Sequence, residues 1–196
     1  MNFLVERLSL EDVLLVRSRR FEDARGYFME SWSQPAFARV GIRANFVQDN
    51  QSLSIRTATV RGLHFQVPPY AQAKLVRVLK GAIFDVVVDL RSGSPDYGKW
   101  CAVTLTEGKP EQLYIPAGFA HGFMTLEPDT LVAYRVDAVY APECDAGICW
   151  DDPDIGIEWP YDANDAVLSA KDSTLPRLAA FSSPFSWKGQ VLAATA

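Results

Sequence analysis

An all-β fold, a sandwich or barrel with a few short helices, is what the sequence predicts, on three observations. Runs rich in valine, leucine, phenylalanine and tyrosine recur along the chain, several alternating with the period of two that a strand requires. Breaks rich in glycine, proline and charge, such as RSGSPDYG and TEGKPEQ, separate them. Helical patterning is confined to 34–40 and to short pieces after Trp150.

The elements follow in order. FLVERL (3–8), VLLVR (13–17) and GYFMESW (26–32) read as strands, followed by the short helix. Strands come next at 45–53 and at 59–66, TVRGLHFQ. The stretch KLVRVLKGAIFDVVVDLR (74–91) divides into two β-rich runs at Lys80-Gly81, a hairpin pattern with glycine where a positive φ is wanted. In its second run Phe84, Val86, Val88 and Leu90 form a core face. Ile83, Asp85, Val87 and Asp89 form the other, whose two carboxylates point to a solvated cavity. Strands at 100–106, 112–115, 121–126 and 130–136 complete the set. One domain over 1–196 is expected, with its core at about 3–180 and a frayed tail at 190–196.

Composition excludes several function classes. With 24 acidic against 19 basic side chains, a net charge of −5 argues against a general nucleic-acid binder. The 48% hydrophobic and 22% charged fractions are those of a globular protein. Glu6 and Arg7 interrupt the early apolar stretch, and no window approaches 18 apolar residues, so neither a signal peptide nor a membrane span is expected. Cys101, Cys144 and Cys149 are odd in number and lack CxxC spacing, which favours a reducing, cytoplasmic setting and inert thiols. Two histidines leave little room for a histidine-rich metal site.

Both histidines are nevertheless candidates for chemistry. On the strand at 59–66 His64 shares its face with Gly62 and Gln66, with open space expected over the glycine; Arg61 lies opposite unless a bulge intervenes. Imidazole suits general-base work near neutral pH, though a hydrogen-bonded core histidine is the competing reading. His121 follows a tight turn in which Pro116 fixes φ and Gly118 permits a left-handed backbone. Tyr134 and Tyr140 are six apart and share a face if the strand stays extended between them; each is either a proton donor or an amphipathic core residue. Lys74 opens an apolar strand, as a solvated lysine or as an ammonium facing a pocket, where it would stabilise an enolate oxygen. Asp172, in VLSAKD, orients His64 if the two meet, which sequence separation cannot decide.

The arrangement PxGxxH around His121 resembles the second half-motif of the cupin barrel. Metal-binding cupins add an HxH pair and a glutamate, whereas the corresponding stretch here offers His64 alone, so a metal-free cupin is expected. A closer resemblance covers about residues 3–180. The segments RGLHFQVPPYAQAKLVRVLKGAIFDVVVDLRSGSPDYGKW, YIPAGFAHGF, YAPECDAGICWDDPDIGIEWP, FEDARGYFMESW, FVQDNQSLS and VLSAKD closely resemble the dTDP-4-dehydrorhamnose 3,5-epimerases.

That resemblance implies a cupin-type jelly roll with no metal and no cofactor. It also implies a homodimer whose N-terminal strands reach the partner's site, and a dTDP-4-keto-6-deoxy sugar as substrate. By the same resemblance His64 is the base, Asp172 its partner, Tyr134 the opposing acid and Lys74 the enolate stabiliser. His121 contacts the sugar, with Asp85 as its possible partner. Arg25, Arg61 and Lys171 surround the diphosphate and sugar; Glu30, Gln48, Asp49 and Asn50 lie near the base and deoxyribose; Phe21 and Tyr140 stack near the thymine. Departures are Gln51 for a frequent histidine, Val60 for the usual leucine, and Asp145 for a frequent glutamate at a substrate-contacting carboxylate.

Three alternatives remain at this level: an enzyme inverting only carbon 3 or carbon 5, an iron-dependent cupin dioxygenase, and a non-catalytic nucleotide-sugar-binding module. Trp100, Trp150 and Trp159 are expected in the core, with Trp150 a possible wall of the pocket.

Overall fold

The computed structural model describes residues 2–189, so the expected tail at 190–196 lies outside the described residues. Thirteen strands and one short helix follow in chain order. The first group is β1 (Phe3–Arg7), β2 (Leu14–Ser18), β3 (Arg20–Asp23), β4 (Gly26–Met29), α1 (Gln34–Arg39) and β5 (Gln48–Ser54). The middle group is β6 (Val60–Gln66), β7 (Lys74–Lys80), β8 (Ala82–Asp89) and β9 (Trp100–Thr106). The last is β10 (Glu111–Ile115), β11 (Phe119–Thr125), β12 (Thr130–Val136) and β13 (Asp145–Gly147). Beyond β13 the regular structure is three short 3-10 turns, among them Asp172–Thr174.

Two antiparallel sheets face each other. One runs β1-β2-β10-β7-β12-β5, the other β13-β6-β11-β8-β9, and β3-β4 stands apart as a two-stranded ribbon. This is the expected all-β, cupin-type sandwich. Between the sheets lies an apolar core that includes Leu15, Val76, Ile83, Val87, Leu105, Leu113, Phe119, Phe123 and Val132. Burial of such side chains is the main term holding the sheets together, at about 1.5–3 kcal/mol each.

The expected hairpin at Lys80-Gly81 does not form. Gly81 has the anticipated positive φ of 80°, but β7 pairs with β10 and β12 while β8 pairs with β11 and β9. The glycine is a corner between sheets: its N–H donates to a Glu107 carboxylate oxygen at 3.0 Å, and a Cβ there would lie 2.4 Å from the Thr130 hydroxyl. Alternation within each run looks the same for a hairpin and for a sheet-switching corner, which is why the pattern misleads.

Both faces of β8 are buried, for different reasons. Ile83 and Val87 point into the sandwich, and with them Asp85, which is fully buried against His121 rather than facing a solvated cavity. Asp89, also fully buried, holds the Arg91 guanidinium at 2.6 Å and the Ser94 hydroxyl at 2.7 Å. Val86, Val88 and Leu90 enter a second core with Leu63, Phe65, Ile148 and Phe185, outside the five-stranded sheet. The segment from Phe181 to Trp187 straps this outer layer. Phe181 and Phe185 meet the Phe65 ring edge-on at 5.0 and 5.9 Å, and the Phe185 carbonyl accepts the Ser92 N–H at 2.8 Å. A third core lies outside the other sheet, where Phe37 of α1 packs with Phe3, Val16, Ile42 and Leu75.

Two strands escaped the sequence reading. RFED (β3) is too charged to read as a strand, yet it pairs with β4 through the Asp23–Gly26 turn. The three-residue β13 is too short to show periodicity; it lies against β6, where a Cβ on Gly147 would meet the Leu63 carbonyl oxygen at 2.6 Å.

Candidate active site

The site sits between the sheets, with β6 and β11 on one side and β7, β12 and β5 on the other. His64 and His121 are directly opposite each other on β6 and β11. Three residues down β6 but only two along β11, Arg61 pairs with Phe123, so β6 carries one extra residue. This bulge turns Arg61 onto the same face as His64, and both line one cavity. Gly62 makes it possible with φ 139°. The expected open space over Gly62 is absent, because a Cβ there would lie 2.5 Å from the Gly122 Cα; two glycines let the backbones touch.

His64 Nε2 is 2.5 Å from Asp172 Oδ1, across 108 residues of chain. Asp172 is buried; its own N–H donates to the Ser169 hydroxyl at 3.0 Å, which fixes the 3-10 turn. Burial pushes the Asp172 carboxyl up, but the hydrogen bond and charge of His64, with the Ser169 hydroxyl and the Gly62 N–H, outweigh it and hold the group below its usual range. An ionised Asp172 accepts, so Nε2 carries the proton and Nδ1 is the nitrogen free to act as a base.

A second imidazole–carboxylate pair lies deeper. His121 Nε2 is 2.6 Å from Asp85 Oδ1. Burial lowers the His121 pKa, against the charge of Asp85 and their hydrogen bond, and Lys74 and His64 lower it further. His121 is therefore neutral, with its single ring N–H on the Asp85 carboxylate and its Nδ1 bare.

From the opposite sheet, Lys74 donates to the His64 carbonyl oxygen at 3.1 Å. Burial lowers its pKa to about 8, with Asp85 and Asp145 opposing and Lys171 assisting. Tyr134 lies on β12 between Asn50 of β5 and Val76 of β7. Burial raises its phenol pKa, partly offset by Arg61 and reinforced by Asp145. Arg61 bonds only neutral oxygens, the Ser54 hydroxyl at 3.0 Å and the Leu53 carbonyl at 2.9 Å. Among the described residues neither Arg61 nor Lys74 has a carboxylate within ion-pair distance. The cavity therefore offers an anion two cations that are held in no ion pair.

The cavity has two lobes. One of about 400 Å³ is lined by Arg61, His64, Lys74, His121, Phe123 and Tyr134, with the Ser169–Asp172 stretch. The other, about 320 Å³, adds Gln48, Asn50, Gln72, Tyr140 and Asp145. His64, Lys74, Tyr134 and Lys171 border both. Tyr140 does not share a strand face with Tyr134, since β12 ends at Val136. It is brought in by a loop: the Gln48 side-chain carbonyl accepts the Tyr140 N–H at 2.9 Å, and Gln66 bonds the backbone of Val139 and Ala141.

Four candidates do not line the cavity. Asp49 lies on the reverse face of β5 with Arg135 at 3.3 Å. Phe21, Arg25 and Glu30 belong to the β3–β4 region, where Arg25 pairs with Asp23 at 2.6 Å and Glu30 accepts from Asn2 at 2.8 Å. Phe21 is exposed beside the Arg19 guanidinium. Trp150 is buried with Val60 and Met124, not in the cavity wall. Lining residues that were not sequence candidates include Ser52, Phe123, Gln66 and Gln72. Period-2 counting from Asn50, His121 and His64 reaches the first three, and Gln66 shares the His64 face.

Among the described residues no group of three or more His, Cys, Asp or Glu side chains is placed to hold a metal ion. A cupin-type sandwich that brings a carboxylate-bound histidine, a tyrosine and a lysine to one cavity is shared with sugar-nucleotide epimerases, a class of isomerases. The comparisons are specific. The dTDP-4-dehydrorhamnose 3,5-epimerase family model matches residues 7–180, and the chain belongs to that family. It is 53% identical over 173 residues to the dTDP-4-dehydrorhamnose 3,5-epimerase of Sinorhizobium fredii, covering 88% of each chain. The crystal structure of the Bacillus anthracis 3,5-epimerase with TDP and pyrophosphate bound superposes with a TM-score of 0.87 at 44% identity, over 90% of this chain and 99% of that one. A Legionella pneumophila dTDP-6-deoxy-D-glucose-3,5-epimerase in complex with dTDP-4-keto-L-rhamnose gives 0.90 at 35%, over 95% and 100%.

Proposed function

We propose that the protein inverts carbons 3 and 5 of dTDP-4-dehydro-6-deoxy-D-glucose to give dTDP-4-dehydro-L-rhamnose. The observation that carries this reading is the Asp172–His64 pair facing Tyr134 across a cavity that also holds Lys74. The C4 ketone acidifies the hydrogens on both neighbouring carbons. Nδ1 of His64 takes one of them as Asp172 stabilises the resulting imidazolium, and charge moves to the keto oxygen as an enolate. Lys74 stabilises that oxygen, and Tyr134 returns a proton from the other face of the ring. The chemistry calls for no metal or cofactor.

The two-lobed cavity fits a sugar in one compartment and a thymidine in the other, with the diphosphate near Arg61 and Lys171. Phe21, Arg25 and Glu30 complete the nucleotide end by reaching a second subunit of a homodimer. The exposed Phe21, Tyr27 and Phe28 of the ribbon support this, because a lone protomer leaves them in water. One domain working in the cytoplasm is part of the same reading. No helix among the described residues is long and apolar enough to cross a membrane.

Substrate incubated with the enzyme in deuterated water tests the reading by NMR. Label at both carbons 3 and 5 is expected, and label at one alone demotes the enzyme to a mono-epimerase. His64→Ala should abolish exchange by at least ~10³-fold while dTDP still binds. Tyr134→Phe should retain exchange on the histidine's face and stop net inversion.

A further inference from the structure

Lys171 stands where the two lobes meet, and it is not free. Its Nζ donates to Asp145 Oδ2 at 2.5 Å, and the same oxygen accepts the Tyr140 hydroxyl at 3.1 Å. Tyr140 and Asp145 border only the second lobe, whereas Lys171 borders both. The three side chains thus form a clasp at the passage between compartments. Lys171 is 46% and Asp145 21% exposed, so charge and hydrogen bonding hold the clasp rather than packing. Asp145 is anchored by the pairing of β13 with β6, and Lys171 immediately precedes the turn that carries Asp172.

A ligand that fills both lobes must run its linker past Lys171. If the linker is anionic it draws on the cation that Asp145 already holds, and once bound it lies beside a carboxylate that has lost its partner. We propose that Asp145 is a specificity-determining residue that competes with the ligand's diphosphate for Lys171, weakening nucleotide binding and so hastening product release. The inference rests on the dTDP-sugar reading above. Exchange of one ion pair for another keeps Lys171 charged and paired in both states, while the Asp145–diphosphate repulsion is present only in the complex. Tyr140, released from Asp145 at the same moment, becomes available to the bound nucleotide.

Titration calorimetry of dTDP and of thymidine against the wild type, Asp145→Asn, Lys171→Met and the double variant tests this. Asp145→Asn should bind dTDP about 2- to 5-fold more tightly, the range expected for a partly exposed ion pair. Thymidine affinity should not change, and the gain should shrink in the Lys171→Met background, where the competition for Lys171 is gone and only the Asp145–diphosphate repulsion is relieved. With the sugar-nucleotide substrate, KM should fall in Asp145→Asn without a rise in kcat. Asp145→Ser, which also removes the charge, serves if the amide variant misfolds. Unchanged or weaker dTDP binding in the folded variant overturns the proposal, as does an equal gain for thymidine. A wild type that binds no dTDP overturns the nucleotide-sugar reading and this inference with it.

Discussion

Lys74 shows how one side chain's surroundings translate into a pH profile. Burial draws its pKa from 10.5 down to about 8, so the ammonium proposed to stabilise an enolate is lost as pH rises through that value. The rate of solvent exchange should fall on an alkaline limb near pH 8. Stability moves the other way. Between pH 8 and 10.5 the unfolded chain binds a proton on this lysine that the folded chain does not, so this group makes folding more favourable as pH rises. Rate and melting temperature measured across that range should therefore diverge; a parallel fall in both would mean that unfolding, not deprotonation, limits the rate. None of this is visible in KLVRVL, where lysine at a strand end is as compatible with solvent as with a cavity. The His64–Asp172 contact is illegible for a plainer reason: 108 intervening residues carry no local signal of it. Both roles were legible only through resemblance.

At the scale of elements, period-2 patterning located most strands within a few residues, and β9 and β12 at their observed bounds. Pairing was another matter, since alternation says which way side chains point and not which strand lies alongside. The corner at Gly81 and the bulge in β6 both belong to that unreadable class. The bulge is the more consequential, because it places Arg61 and His64 on one face. Gly62→Ala would force a Cβ to within 2.5 Å of the Gly122 Cα in a backbone with φ 139°. It should cost about 2–4 kcal/mol of stability, read by urea denaturation. Exchange should drop along with it as the register shift is lost. A folded variant with wild-type stability and exchange would show that the bulge tolerates a side chain.

For the whole molecule, the ribbon β3–β4 divides the candidate residues into two groups. His64, Tyr134, Lys74 and Asp172 share one cavity within a protomer, whereas Phe21, Arg25 and Glu30 do not reach it. If the second group serves a partner subunit, two inactive variants should complement each other. Co-expressed His64→Ala and Arg25→Ala chains should regain activity at about one quarter of the sites, because half of a random dimer population carries one intact site. Service within a single protomer predicts no recovery. Phe21 lies on β3, whose charge hides it as a strand, and Glu30 lies just past β4 rather than within it; that they belong to one site is implied by resemblance and not by strand order.

The strap from Phe181 to Trp187 bears on how the protein is made. It seals the back of β6, whose front carries His64, and it lies beyond the 7–180 span matched by the family model. A chain leaving the ribosome can pair β6 with β11 once residue 125 has emerged. His64 then waits for Asp172, and the apolar back of its strand waits for Phe185. During that interval the back of the sheet stays half covered, so the His64–Asp172 contact is among the late ones of biosynthesis.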